Sequence, residues 1–225
     1  MADAPRSAGA TIPVIDISSY LADDPAGTAS VARQIDDACR SVGFLLVTGH
    51  GVDPALVAET RAVSMALFAL PGAEKMVYQI PPDRDRGYSP PASESLAASY
   101  GQQTPPDLKE SFNIGPVDVP DDEYHSEARA GAYFAPNWWP AEVPAMEAVW
   151  SRYYRAMQAL ATQLMRLFAL ALALPEHAFG DKVDGHITNL RVIHYPPLAA
   201  APEPGQRAGP IARKLALMRR SELAR

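Results

Sequence analysis

The stretch HITNLRVIHYPP, residues 186–197, decides how the chain folds, because it is typical of a strand that stops at a proline pair. Successive side chains of a strand point to opposite faces. One face carries Ile187, Asn189, Arg191, Ile193 and Tyr195, and the other carries Thr188, Leu190, Val192 and His194. The first face could line a polar cavity and hold a carboxylate. Equally, Arg191 could pair with an acidic side chain while Tyr195 caps the strand, and spacing alone leaves both interpretations open.

Apolar runs earlier in the chain predict further strands. TIPVIDIS (11–18), GFLLVTGHG (43–51) and KESFNIG (109–115) are each rich in branched or aromatic residues and are bounded by glycine or proline. The second run is apolar almost throughout, so we expect a strand that is buried on both faces.

The spacing of apolar residues between these strands predicts helices. A helix from about Thr28 to Gly43 presents one apolar face, made of Val31, Ile35, Cys39 and Val42. This places Cys39 in the core as a small apolar residue. Asp53 and Pro54 are the cap and first residue of the next helix. The longest helix is predicted over 141–174, packed against a sheet in preference to forming a coiled coil, because its end is apolar all round. Helices and strands in mixed order predict an α+β fold.

Composition and charge exclude several classes of protein. The 225 residues include one cysteine, so an internal disulfide framework is excluded. The N-terminus has no apolar signal region, and no run approaches the roughly 20 apolar residues of a membrane span, so we expect a cytoplasmic protein with no membrane contact. The sequence contains no P-loop, G-x-S-x-G, G-x-G-x-x-G or H-E-x-x-H motif, which leaves hydrolase, NTPase and dinucleotide functions unsupported.

The C-terminal tail differs from the rest of the chain. Residues 207–225 hold six basic side chains against one acid, which gives this segment a net charge of +5. Because the whole chain has a net charge of −6, residues 1–206 carry −11. This acidic body has no nucleic-acid character, and a short basic segment without interleaved aromatics gives at most loose, salt-sensitive binding.

A series of short motifs runs from about residue 11 to residue 206. In order, they are IPVIDIS, AC-x-x-x-GFLLVTGHGV, LFALP-x-x-E-K, RGY, KESFNIG, N-x-W-P, LMRLFALALALPEHAF and LR-x-x-HYPP. Each motif alone is weak, but their combined order is specific. It resembles the isopenicillin N synthase-like family of non-haem iron(II) oxygenases, most of which depend on 2-oxoglutarate.

The resemblance implies a helix-rich N-terminal region that supports a double-stranded β-helix, or jelly roll. It implies that Tyr195 reaches into the cavity and helps to hold a carboxylate of the cosubstrate or substrate. It also places Arg84, Arg86 and Tyr88 in the region that forms a variable substrate wall, and Arg191 is a further candidate for that wall.

The sequence departs from the family pattern after Tyr195. The family supplies H-x-D on the next strand, and later a histidine and R-x-S, whereas here no histidine follows His194 and no aspartate follows Asp184. We therefore expect an incomplete jelly roll and no metal ligands in this chain. Iron(II) and 2-oxoglutarate are cofactors of the complete family enzyme, and neither is expected to bind here. A frameshift or truncation near residue 208 would explain the tail, and a natural amphipathic helix is the alternative.

These features predict four regions: a disordered N-terminus (1–10), a dioxygenase N-terminal region (11–140), a long support helix with the first jelly-roll strand (141–206), and the basic tail (207–225). The first functional hypothesis is the N-terminal portion of an iron(II)/2-oxoglutarate oxygenase for a small organic substrate, inactive as given. The second is a non-enzymatic remnant or interaction module that uses the tail. Self-association through the exposed edge of strand 187–195 is expected under the first hypothesis.

Overall fold

A computed structural model describes residues 11–82, 84–94, 105–126, 133–198, 201–203 and 206. The chain divides into two compact units, Met1–Ala58 with Arg152–His186, and Glu59–Ser151 with Ile187–Arg225. The predicted disordered N-terminus and the basic tail lie outside the described residues. Within the part of the chain that is described, no helix is both long and apolar enough to cross a membrane.

The first unit is built around two short parallel strands. β1 (Val14–Asp16) pairs with β2 (Leu46–Thr48). α1 (Ser18–Leu21) and α2 (Pro25–Ser41) lie between them in the chain. α2 begins at Pro25 because the side chain of Asp24 accepts the Ala26 N–H at 3.1 Å and proline suits the first helical position.

The core of this unit is a small apolar cluster. It consists of the buried residues Ile15, Ile17, Val31, Ile35, Ala38 and Leu167, against which Leu160 and Leu164 pack. Leu160, Leu164 and Leu167 belong to α6 (Met146–Ala171). This part of the long helix therefore packs against the first unit's own strands and α2, as predicted. α7 (Gly180–Val183) follows in the same unit.

The long helix is shorter than the predicted 141–174. At its start, turn hydrogen bonds join Val143 N to Pro140 O at 3.0 Å and Met146 N to Val143 O at 2.9 Å. At its end, Ala173 adopts a left-handed backbone and Leu174 N bonds back to Ala169 O at 2.9 Å, a C-terminal cap.

Two predictions for the first unit are wrong. Cys39 is exposed, and Ala38 takes the core position instead. β2 is not buried on both faces, because Leu46 is 55% exposed and the preceding Phe44 is 68% exposed.

The second unit contains an antiparallel sheet in the order β3-β4-β5. β3 (Gly87–Ser89) forms where no strand was predicted, and β4 (Glu110–Ile114) and β5 (Leu190–His194) match predicted strands. α4 (Gly72–Met76) and α5 (Glu123–Ser126) are short.

α3 (Pro54–Phe68) begins at the predicted cap, where Asp53 accepts the Ala55 N–H at 2.8 Å. The mixture of helices and strands confirms the α+β class. The incomplete jelly roll and the region boundaries stay predictions.

Replacing Ile35 with alanine should lower the free energy of unfolding by about 2–5 kcal/mol, because it removes buried methylene groups and leaves a cavity. Cys39→Ser, four residues away on the same helix, should change it by less than about 0.5 kcal/mol, because the side chain is exposed. Urea unfolding of both variants measures this. Equal losses would mean that Cys39 belongs to the core after all.

Candidate functional site

The two faces of the β3-β4-β5 sheet are set by the register of its strands. Glu110 lies opposite His194, and Phe112 lies between Tyr88 and Val192. Every residue of β4 is buried. β5 alternates as predicted, with Leu190, Val192 and His194 half-buried and the intervening residues exposed.

On one face of the sheet, the buried carboxylate of Glu110 holds three side chains. Its Oε2 accepts hydrogen bonds from Lys75 Nζ at 2.7 Å and from the Tyr88 hydroxyl at 2.5 Å. Its Oε1 lies 2.7 Å from Nδ1 of His194. Because an ionised carboxylate only accepts hydrogen bonds, Nδ1 of His194 carries the proton of this contact. We call Glu110, Lys75, Tyr88 and His194 the Glu110 cluster.

Phe68 completes the surroundings of the Glu110 cluster. Its ring stacks on the His194 ring at 5.1 Å between centroids, and its carbonyl oxygen accepts a second hydrogen bond from Lys75 Nζ at 3.0 Å. The ammonium group of Lys75 also lies 5.6 Å from the centre of the Tyr88 ring. The buried cation is therefore satisfied on several sides.

The environment keeps Glu110 ionised and Tyr88 protonated. Burial raises the pKa of Glu110, but the hydrogen bonds from Lys75, Tyr88 and His194 together outweigh it, so the pKa lies below the ordinary value. Burial, with a smaller effect of the neighbouring carboxylate, raises the pKa of the Tyr88 phenol well above its usual range. Tyr88 therefore serves as a hydrogen-bond donor.

The opposite face of β5 carries the exposed side chains. Arg191 and Ile193 are exposed on this side, and Tyr195, directly after the strand, is 41% exposed. Tyr195 is thus available to a ligand. Its predicted role in holding a carboxylate stays a prediction.

On that same face, Arg191 is paired with an acid, which was one of the two interpretations of the sequence. One terminal nitrogen of its guanidinium lies 2.6 Å from each carboxylate oxygen of Glu94 and 2.8 Å from Ser111 Oγ. Lys109 Nζ lies 2.9 Å from Glu94 Oε2. Burial raises the pKa of Glu94, but the hydrogen bonds from Arg191 and Lys109 outweigh it, and the pKa lies below the ordinary value. We call Arg191, Lys109 and Ser111 the Arg191 cradle.

The other residues predicted for a substrate wall occupy different surroundings. Tyr88 is buried in the Glu110 cluster. Arg86 is buried as well, and its guanidinium donates to Asn189 Oδ1 at 3.3 Å and to the carbonyl oxygen of Tyr133. Gly115 makes room for it, because a Cβ there would overlap the guanidinium.

Arg84 is half-buried, and its guanidinium lies 5.8 Å from the centre of the Trp138 ring. For all four residues, contact with a substrate stays a prediction.

The Glu110 cluster was not predicted from the sequence. Its members do lie in motifs quoted above, since Lys75 ends LFALP-x-x-E-K, Tyr88 ends RGY, Glu110 belongs to KESFNIG and His194 to HYPP. The sequence did contain one signal for this cluster. His194 shares a strand face with Leu190 and Val192, and a polar ring on a half-buried face requires a hydrogen-bond partner.

The described residues do not fit an iron site. No three histidine, cysteine, aspartate or glutamate side chains among them converge to hold a metal ion. All five histidines of the sequence lie within these residues. His194 already uses its Nδ1 in the contact with Glu110 at 2.7 Å.

Comparisons with known proteins place these features in a family. The family model "non-haem dioxygenase in morphine synthesis N-terminal" matches residues 12–142. The 2-oxoglutarate-Fe(II) type oxidoreductase hxnY of Emericella nidulans is 31% identical over 188 residues, covering 82% of this chain and 52% of that protein. The 2-oxoglutarate-dependent dioxygenase citB of Monascus ruber is 36% identical over 200 residues, covering 85% and 57%.

Solved structures give the same result. A full-length Neurospora crassa protein in complex with alpha-KG and thymine has a TM-score of 0.69 at 26% identity, covering 85% of this chain and 57% of that one. A putative 2OG-Fe(II) oxygenase family protein from Caulobacter crescentus has a TM-score of 0.70 at 25% identity, covering 84% and 58%. The chain therefore spans about half the length of the relatives it matches.

Glu110→Gln should lower the free energy of unfolding at neutral pH by about 3–5 kcal/mol, because it leaves the buried Lys75 ammonium without its counter-charge. The pKa of Glu110 is lower in the folded state, so its contribution is present above the unfolded glutamate pKa of about 4.3 and is lost as the pH falls through the folded value. The difference between wild type and variant, measured by urea unfolding, should therefore shrink below about pH 4.3.

Two further variants control this experiment. Asp181→Asn removes a carboxylate from an exposed pair with Lys182 and should cost less than about 1 kcal/mol. Glu110→Gln combined with Lys75→Met removes both charges and should cost less than the sum of the single changes. Strict additivity, or a Glu110→Gln effect that does not vary with pH, would contradict the assignment of a buried ion pair.

Proposed function

The chain belongs to the family of 2-oxoglutarate- and iron(II)-dependent dioxygenases, and we propose that it forms the N-terminal portion of an oxygenase that oxidises a small organic molecule with O2. The observation that carries this proposal is the strand β5, which the Glu110 cluster holds on one face while Arg191 and Tyr195 remain exposed on the other. Such a strand can present polar side chains to a ligand at a fixed position.

In this proposal, Tyr195 uses its phenolic hydroxyl to donate a hydrogen bond to a carboxylate of the cosubstrate or substrate. A hydroxyl that donates to an ionised carboxylate forms one of the stronger hydrogen bonds. Iron(II) bound together with 2-oxoglutarate supplies the oxidising chemistry of the family. The contribution of this chain's own residues is to bind and orient.

We further propose that the iron ligands lie outside the described residues, and that the 225-residue chain alone is inactive. Support comes from the absence of a converging set of three metal-capable side chains in the described ranges. The cytoplasmic location and the absence of nucleic-acid binding also stay predictions.

Turnover tests the proposal. The nucleotide sequence beyond the codon for Tyr195 shows whether any reading frame encodes H-x-D and a later histidine with R-x-S. A protein that contains those residues should convert 2-oxoglutarate to succinate in the presence of iron(II) and O2, and the 225-residue chain should not. Turnover by the 225-residue chain itself would place the iron site within it.

The role of Tyr195 is tested in the active form. Tyr195→Phe should raise the KM for 2-oxoglutarate or for the substrate by about tenfold, because one charge-assisted hydrogen bond is lost. Tyr133→Phe is the matched control, since Tyr133 is a similarly exposed tyrosine in the same unit. Equal effects of the two changes would remove Tyr195 from the site. If no frame encodes the iron ligands and neither iron nor 2-oxoglutarate binds, the chain is a non-enzymatic module.

We also propose that the 225-residue chain self-associates through β5, which is an edge strand of the described sheet. Ile193 is 42% exposed there. Light scattering across a dilution series should show dimers or larger species, and Ile193→Lys should reduce them because a charge blunts an exposed edge. Leu172→Lys, at an exposed apolar residue outside this sheet, should leave them unchanged. A monodisperse wild-type monomer would contradict self-association.

A further inference from the structure

We propose that the Arg191 cradle is a carboxylate-binding site that the chain fills with its own Glu94, and that a carboxylate of a small-molecule ligand displaces Glu94 during function. The assignment of that ligand as a substrate or cosubstrate rests on the proposed oxygenase function. The binding site itself is argued from the geometry of the described residues.

Two cationic donors converge on the Glu94 carboxylate, and the Ser111 hydroxyl oxygen lies beside them as an acceptor from Arg191. Arg191 contacts both oxygens, Lys109 contacts one of them, and Ser111 is held by the same guanidinium through two hydrogen bonds of 2.8 and 3.1 Å. Two cations on one carboxylate are more than a surface ion pair requires. The exposed pair of Arg40 with Asp36 in α2 is the comparison, since it joins one arginine to one carboxylate of the same helix.

Without the Glu94 side chain, the cradle would carry a local excess of positive charge. Asp107 lies beside it, with a carboxylate 3.8 Å from Lys109 Nζ, and this acid balances only one of the two cations. Arginine and lysine held beside a hydroxyl form the donor set that carboxylates prefer. A small organic acid therefore matches the chemistry of this position.

The side chain of Glu94 can move away from the Arg191 cradle while its main chain remains in position. Its carbonyl oxygen accepts the Asp107 N–H at 2.8 Å, which fixes the backbone. The side chain of Glu94 is 37% exposed and that of Arg191 is 32% exposed, so solvent reaches the pair. Glu110 on the opposite face is only 4% exposed and has no comparable route. Exposed ion pairs are weak, and a competing carboxylate can replace one partner.

The cradle also faces the same side of the sheet as Tyr195. Tyr195 comes four positions after Arg191 and directly follows β5, so continued alternation puts both on the exposed face. The shared chemistry of the two positions is recognition of a carboxylate. The carboxylate belongs either to the substrate or to the cosubstrate, and the experiment described next distinguishes the two.

The experiment follows the Arg191 Nε–Hε signal by NMR during titration of the 225-residue chain with propionate, and separately with 2-oxoglutarate. Arg191→Lys identifies the signal by its loss. In Glu94→Gln, propionate should bind at least about tenfold more tightly than in wild type, because a tethered competitor acts at an effective concentration in the millimolar range. Asp36→Asn, read at Arg40, is the matched control and should create no such site.

The outcomes are distinct. Comparable binding of propionate and 2-oxoglutarate in Glu94→Gln supports a substrate carboxylate, and a clear preference for 2-oxoglutarate supports the cosubstrate. If Glu94→Gln lowers the melting temperature but the Arg191 signal responds to neither acid, the pair only fastens the segment before β4 to the sheet, and the proposal fails. Neither iron nor turnover enters this measurement, so its failure leaves the proposed oxygenase function to its own test.

Discussion

The second unit depends on one buried carboxylate. Glu110 joins four elements, because Lys75 lies in α4, Tyr88 in β3, Glu110 itself in β4 and His194 in β5. Burying a charge costs much more than the net gain of a single hydrogen bond, so such a group persists only when every partner is present. The three donors of the cluster meet this condition, and they thereby fix the relative positions of the elements that carry them.

Local pattern predicted the elements of this fold but not what joins them. The alternation of β5, the strand at KESFNIG and the Asp53 cap of α3 all follow from residues close together in sequence. The partners of Glu110 lie 35, 22 and 84 residues away. No spacing rule acts over such distances. Alternation placed Tyr195 on one face of the strand and the resemblance to a family implied its ligand, but neither gave a reason for that face to be held in place.

The two wrong predictions have simple geometric causes. A step of four residues slightly overshoots a helical turn of 3.6, so counting from Val31 through Ile35 to Cys39 drifts by about 80° around the helix. Ala38 lies nearer the core direction, and the structure buries it. For β2, the composition shows that the run is apolar, but only its packing in the folded chain decides which faces are buried. Periodicity therefore locates an element better than it locates its buried side.

The carboxylates of Glu110 and Glu94 lie on opposite faces of the sheet and differ in their exposure to solvent. Glu110 and His194 face the buried side, whereas Ser111 of β4 and Arg191 of β5 face the side where the side chain of Glu94 is 37% exposed. A shift of β5 by one residue would exchange these faces, bringing Tyr195 toward Glu110 and turning His194 outward. The contact between Glu110 and His194 opposes that shift, since a buried carboxylate would lose one of its donors. The chemistry available on the exposed face thus depends on an ion cluster that lies on the other.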